Sequence, residues 1–320
     1  MTQEKPIIPI FFTIDNGYAP CLGVALASMK ANASRDYQYR IHILHQELTA
    51  ENIAKLSSIG EDWFQVHFEE MKEGLESITD RKENRLRCDY FTMTIYFRLF
   101  IPEMFPEYDK GIYIDSDIVV PGDISRLYNI QLGDNLLGAC PDHSVSEIPE
   151  FAHYIEESTG VNRYKYINSG ILLMNLAEMR KCRMTEHFLH LLNTYHFDSI
   201  APDQDYINAM CYGRIHFLDE EWDAMPNKQK EPMAHPSLIH YNLFDKPWCY
   251  DDVQYEDYFW QYARENVYYQ ELLEIKRNYS DEQKKSDMEC LENMLTNAMR
   301  IPNNPVTFKK IHESEGTIRL

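Results

Sequence analysis

Two aspartates one residue apart end a strand-like apolar run in the segment Gly111-Ile-Tyr-Ile-Asp115-Ser116-Asp117-Ile-Val-Val120. Carboxylate oxygens suit the hard cations Mg²⁺ and Mn²⁺, and such ions in proteins keep positions open for phosphate oxygens. The chemistry to expect is therefore the binding of a nucleotide or another phosphate compound. The plainer alternative is a turn, since Asp is common where strands end. A second stretch, Leu238-Ile-His240-Tyr-Asn-Leu-Phe-Asp-Lys246-Pro-Trp248, puts an imidazole at the end of an apolar run and an amine six residues further on. The imidazole suits a mixed N/O ligand set. Lys246 offers a mobile point charge for phosphate oxygens, on a loop that Pro247 stiffens. Here the alternatives are a satisfied structural histidine and a solvated lysine.

These side chains need a scaffold that brings distant segments together. Residues 7–14 are almost continuously apolar, as in a strand buried on both faces, and Asp15-Asn-Gly17 ends the run. Leu22, Ala25, Leu26 and Met29 then recur at helical spacing. Residues 39–45 alternate as a second strand, Thr49 is placed to cap a helix carrying Ile53 and Leu56, and residues 64–68 read as a third strand. This β-α-β-α-β order opens a nucleotide-binding α/β domain. After a polar stretch at 72–87, residues 92–100 read as a helix leading into the Asp115 strand. Short strands are expected at 136–140, 167–174, 215–218 and 238–241, with helices near 184–195 and 203–211. From residue 255 the chain turns Tyr-rich and then charged. Ser280 and Gln283 are spaced as a capping box, with Met288, Leu291, Leu295 and Ala298 on one helical face suited to core packing. The expected division is an α/β domain over residues 1–254 and a C-terminal helical extension over 255–320.

A formal net charge of −20 over 320 residues argues against general nucleic-acid binding, which needs a basic patch. An anionic ligand would need local help from a cation and a few placed basic groups. No apolar run approaches the length of a membrane span. The start, Met1-Thr-Gln-Glu-Lys-Pro6, lacks the features of a signal peptide, so a cytoplasmic protein is expected, with peripheral attachment at the inner membrane face left open. The seven cysteines are dispersed, odd in number and without a C-x-x-C pair, which reads as reduced thiols.

Five blocks occur in order between residues 12 and 248. They are Phe12-Thr13-Ile-Asp15-Asn-Gly-Tyr18-Ala19, the Asp115-Ser116-Asp117 pair, Ile167-Asn168-Ser169-Gly170-Ile-Leu-Leu-Met-Asn175-Leu176, Pro202-Asp203-Gln204-Asp205-Tyr-Ile-Asn208, and the stretch carrying His240 and Lys246. Together they resemble the family 8 glycosyltransferases, retaining enzymes of the galactosyltransferase and glycogenin group. The resemblance implies a GT-A fold, a Rossmann-like mixed sheet flanked by helices. It further implies a UDP-sugar donor, with galactose or glucose the leading sugars, and a glycan or lipid-linked acceptor. Asp115, Asp117 and His240 would hold Mn²⁺ or Mg²⁺, and Lys246 would assist at the diphosphate.

The same resemblance assigns the remaining roles. Thr13, Asp15 and Tyr18 would face the nucleotide, Asp15 bonding a uracil N–H and Tyr18 stacking on the base; a strand-end cap and a packing ring are the alternatives. Arg98, in Thr94-Ile-Tyr-Phe-Arg98-Leu, would reach the donor sugar and phosphates through its forked donors. Ser116, Asn168, Ser169 and Gly170 would line the donor site, with Gly170 allowing close backbone approach. Asp203 would bond sugar hydroxyls or cap its own helix, and Gln204 would lie nearest the reacting anomeric carbon. Asp142 would face the acceptor or cap its loop. An amide is a poor nucleophile, so attack from the face that UDP leaves is favoured over double displacement. Two positions depart from the family pattern, Leu243 in place of a common glycine and Gly17 in place of an asparagine, whose contact would be either lost or made by Asn16 instead.

Two rival readings stand. Asp115-Ser-Asp117-Ile-Val119 also matches the D-x-D-x-[T/V] pattern of haloacid-dehalogenase-like phosphatases, in which Asp115 would be the nucleophile. The other rival is a nucleotide-sugar binding protein without turnover.

Overall fold

The computed structural model describes residues 5–71 and 93–320. The polar stretch at 72–87, Cys88 and Thr92 lie outside them. The strands are β1 (Ile7–Thr13), β2 (Gln38–His45), β3 (Phe64–Glu70), β4 (Gly111–Ile114), β5 (Ile118–Val119), β6 (Leu137–Ala139), β7 (Ile171–Met174), β8 (Ile215–Phe217) and β9 (Ile239–His240). Seven of them form one mixed sheet in the order β3-β2-β1-β4-β7-β6-β8. β7 runs antiparallel to β4 and β6, whereas β1 to β4 are mutually parallel where they pair. β5 and β9 pair separately as a small antiparallel sheet.

Alternation along the central strands divides the core. Ile8, Ile10 and Phe12 of β1, Ile112 and Ile114 of β4, and Ile171 and Leu173 of β7 point into one apolar cluster. Phe11, Tyr113, Leu172 and Met174 point into the other. Both sheet faces are thus covered, which is why these strands read as continuous apolar runs.

The helices are α1 (Ala19–Asn32), α2 (Ala50–Ser57), α3 (Ile101–Met104), α4 (Ile124–Tyr128), α5 (Pro149–Tyr154), α6 (Leu176–Lys181), α7 (Met184–Tyr195), α8 (Pro202–Cys211), α9 (Glu256–Ala263), α10 (Tyr269–Asn278), α11 (Asp281–Arg300) and α12 (Phe308–Glu315). Thr49 caps α2, accepting from the Asn52 N–H. The expected helix at 92–100 is a 3-10 turn over Met93–Leu99 that passes into α3. α1 is buried along most of its length, between the sheet on one side and α9 and α10 on the other. Gly23 permits this approach: a Cβ there would stand 2.5 Å from the Tyr268 ring. Phe259, Tyr268 and Leu272 accordingly belong to the same cluster as β1.

The capping box at Ser280 and Gln283 forms, opening α11. Its buried face is Cys290, Met294 and Ala298, packed with α5 in a third cluster that Leu291 and Leu295 flank. Met288, expected on that face, is 61% exposed. Cys21, Cys140, Cys182, Cys211 and Cys249 are free thiols, but Cys290 is disulfide-bonded, which departs from reduced thiols throughout. Among the described residues no helix is long and apolar enough to cross a membrane.

Candidate active site

The large and small sheets meet where β4 gives way to β5, and the D-x-D pair occupies that junction. The Asp115 N–H donates to the Gly170 carbonyl at 2.7 Å, tying the end of β4 to the start of β7. The Tyr241 N–H donates to the Asp117 carbonyl at 2.9 Å, and Ile118 stands opposite His240 in the β5–β9 pairing. Backbone pairing therefore delivers Asp115, Asp117 and His240 to one place. Ligand atoms of the three lie within 4.8 Å of one another. Two carboxylates and one imidazole are a donor set for Mn²⁺ or Mg²⁺. The space is kept open by Gly170, where a Cβ would fall 2.5 Å from His240 Cε1 and 2.8 Å from Asp115 Oδ2.

Opposite charges lie against one another at this junction. Burial raises the Asp117 pKa, but the Lys246 ammonium and the His240 ring outweigh it and hold the carboxyl well below its ordinary range. Lys246 bonds both Asp117 Oδ2 and, at 2.5 Å, the Tyr241 carbonyl. Burial lowers the His240 imidazole, but Asp117 and then Asp223 outweigh it and push it up to about 10. Asp223 itself is raised, burial overriding its bond to His240.

A second layer of bonds joins the other expected residues. Arg98 is buried, and its guanidinium donates to the Ser169 carbonyl at 2.7 Å and to Asp115 Oδ1 at 3.0 Å. It also pairs with Asp203 Oδ2 at 3.1 Å and lies 4.3 Å from the centre of the Tyr113 ring. The Tyr113 hydroxyl donates to Asp115 Oδ1 at 2.7 Å and bonds Thr13 Oγ1 at 2.8 Å. Ser169 Oγ donates to Asp203 Oδ2, and the Ser169 N–H donates to Gln204 Oε1, each at 3.0 Å. Asn168 accepts the Gly170 N–H at 2.7 Å and donates to Asp142 Oδ2 at 3.3 Å. Asp142 is fully buried, with Gln204 and Ser144 as further partners. Ser116 is buried between the two aspartates.

Thr13 ties the N-terminal block to this network through Tyr113, and the Lys246 ammonium and Asp117 both act on the Tyr18 hydroxyl. Asp15 Oδ1 accepts the Gly17 and Tyr18 N–H groups at 2.8 and 3.2 Å, which is the capping arrangement, and Tyr18 is 42% exposed. Asn16 is occupied elsewhere, donating to the Glu47 carbonyl and accepting from the Thr49 N–H. Asp203 does not cap α8. The cap residue is Ala201, and Asp203 sits in the first turn facing Arg98. Leu243, at the family's glycine position, has φ 56°, the left-handed conformation that glycine adopts most easily.

Three further residues support the site without having been singled out by sequence. Tyr113 links Thr13 to Asp115, as described above. Asp205 accepts from the Tyr154 and Tyr166 hydroxyls at 2.6 Å each and from Ser199, which anchors the start of α8 beneath Asp203 and Gln204. Asp223 lies 17 residues before His240, a spacing that carries no signal by itself.

The chain is similar to known proteins over most of its length. The chain is 24% identical over 265 residues to general stress protein A of Bacillus subtilis (strain 168), covering 77% of this chain and 89% of that one. It is also 24% identical over 301 residues to lipopolysaccharide 1,2-glucosyltransferase of Escherichia coli (strain K12), with 84% and 83% covered. The galactosyltransferase LgtC, solved in complex with donor and acceptor sugar analogues, shares the fold at a TM-score of 0.68 and 22% identity, over 87% of this chain and 100% of that one. The model of glycosyl transferase family 8 matches residues 9–252. The chain therefore belongs to glycosyl transferase family 8, and its seven-stranded mixed sheet flanked by helices is a GT-A fold.

Proposed function

We propose that this glycosyltransferase moves a hexose, glucose or galactose, from a UDP-sugar to a glycan or glycolipid acceptor with retention of anomeric configuration. The observation that carries the reading is the convergence of Asp115, Asp117 and His240 beside Arg98 and Lys246, with Asp203 and Gln204 on the adjoining helix start. A Mn²⁺ or Mg²⁺ ion held by Asp115, Asp117 and His240 would neutralise charge developing on the departing diphosphate. The Lys246 ammonium, held by Asp117 and the Tyr241 carbonyl, is suited to the phosphates, while Arg98 holds Asp115 and Asp203 in register. Asp203 offers acceptor oxygens to sugar hydroxyls, and Gln204, fixed at both ends of its amide, presents a neutral dipole rather than a nucleophile. In the favoured sequence the bond from the anomeric carbon to UDP breaks, the acceptor oxygen bonds the same face, and the acceptor proton passes to the leaving phosphate.

The supporting likenesses are the glucosyltransferase and galactosyltransferase named above. Family membership leaves the phosphatase alternative without support, and in the structure Asp115 Oδ1 is already engaged by Arg98 and Tyr113. The test is UDP release from UDP-glucose and UDP-galactose with Mn²⁺ and glycan acceptors, followed by NMR of the product linkage. An α-linked product from an α-linked donor is expected. Donor binding without any transfer would support the non-catalytic reading instead, and a β-linked product would overturn retention.

A further inference from the structure

The carboxylate of Asp223 lies behind His240. Its side chain is 1% exposed, the His240 side chain is 2% exposed, and Oδ1 stands 3.1 Å from Nδ1. Asp223 Oδ2 has no hydrogen-bond partner among the described residues. Leaving a buried polar oxygen unpaired costs about 1–3 kcal/mol, so this carboxylate is a poor choice for stability alone. Its position is nonetheless closely set. The His240 N–H donates to the Ala224 carbonyl at 2.9 Å and the Ala224 N–H to the Leu238 carbonyl at 3.0 Å, so the residue after Asp223 is bridged directly to β9.

We propose that Asp223 is a positioning residue for the cation site, fixing the ring of His240 so that Nε2 faces the D-x-D carboxylates and strengthening it as a ligand. The proposal rests on the metal-binding reading above. When a cation displaces the proton on Nε2, Asp223 accepts the remaining Nδ1 proton and so keeps the Nε2 lone pair directed at the metal. Nε2 then points toward Asp117, with Oδ1 at 3.4 Å. Gly170 lies along the ring edge, where even a methyl group would meet Cε1. The ring is thus held by a hydrogen bond at Nδ1 and by backbone at Cε1. A negative partner at Nδ1 also raises electron density at the coordinating nitrogen, and loss of such partners typically weakens metal binding about 10–100-fold.

The test is direct Mn²⁺ binding, with metal alone, by electron paramagnetic resonance of the free ion in native protein, Asp223→Asn, Asp223→Ala and Asp117→Asn. Asp223→Asn retains shape and one acceptor oxygen but lacks the charge, and circular dichroism confirms that each variant is folded. The expected result is Mn²⁺ affinity about 10–100-fold lower in Asp223→Ala, a smaller loss in Asp223→Asn, and no specific site in Asp117→Asn. Native-like affinity in both Asp223 variants, with Asp117→Asn still deficient, would overturn the proposal while leaving the metal site standing. Absence of Asp117-dependent binding in the native protein would overturn the metal reading itself, and the role of Asp223 with it.

Discussion

Gln204 donates from Nε2 to Asp142 Oδ2 at 2.9 Å, across 62 residues of chain. Because Oε1 of the same amide accepts the Ser169 N–H, the side chain can neither rotate nor flip without breaking a bond at each end. Asp142, expected on the acceptor side, thereby also sets the orientation of the residue expected nearest the anomeric carbon. Gln204→Ala should leave UDP affinity within a few-fold of native while transfer falls about 10²–10³-fold, the scale of losing one placed polar group. Initial rates with donor and acceptor varied separately measure this; undiminished transfer would remove Gln204 from the mechanism. Gln204→Glu should be worse for folding than its shape suggests, since it sets a carboxylate against Asp142.

Arg98 joins Asp115 to Asp203 from a buried position, and a lysine has no fork to span both. Arg98→Ala leaves the buried Asp203 carboxylate, and the part-exposed Asp115 carboxylate with it, without their shared cation. A loss of about 3–5 kcal/mol of stability is expected in urea denaturation, together with loss of donor binding. Arg98→Lys should recover part of the stability and little of the donor affinity. A native-like midpoint for Arg98→Ala would show that the network does not support the fold.

Leu243 combines a left-handed backbone with a side chain packed against the third apolar cluster. The two effects separate in a pair of variants. Leu243→Ala removes most of the packing and keeps the Cβ, whereas Leu243→Gly removes the Cβ as well. The glycine variant should be more stable than the alanine variant by about 1 kcal/mol, the cost of a Cβ in this conformation. Equal stability in denaturant titrations would contradict a left-handed Leu243.

The buried face of α11 gives a contrast within one helix. Met294 is 4% exposed and Met288 is 61% exposed. Met294→Ala should cost about 2–5 kcal/mol, whereas Met288→Ala should stay within about 0.5 kcal/mol of native. Thermal denaturation of the two variants decides it, and equal losses would place both residues on the buried face.

The same helix shows what sequence conveys and what it does not. Periodicity identified α11 and its capping box because both are local, yet which residues of a broad apolar stripe touch α5 depends on the partner helix. The first three strands were legible for a similar reason: β1 is buried on both faces and reads as an unbroken apolar run. Residues 167–174 also looked like one strand, but β7 begins only at Ile171. Asn168, Ser169 and Gly170 spend their polar groups on one another and on Asp142, Asp203, Gln204 and Arg98 instead.

At the site itself, resemblance marked Asp115, Asp117, His240, Arg98, Asp203 and Gln204, and the fold gathers them. Asp223 and Tyr113 left no mark, because their function lies in a tertiary contact with a marked residue rather than in a spacing. The separate pairing of β5 with β9, which brings His240 to Asp117, is likewise a long-range event with only two residues in each strand. The same holds for Lys246: its loop position was legible, but its bond to Asp117 was not.

Asp115, Asp117 and His240 are proposed to form a cation-dependent site for a uridine diphosphate. The most direct test is thermal stabilisation by UDP, GDP and CDP, each with Mn²⁺ and with chelator, in native protein and in Asp117→Asn. At a nucleotide concentration near a hundred times Kd, about 2.7 kcal/mol of stabilisation is expected for UDP with Mn²⁺. It should vanish with chelator or in Asp117→Asn. Equal stabilisation by UDP in chelator and in Asp117→Asn, or no response to any nucleotide, would contradict the account.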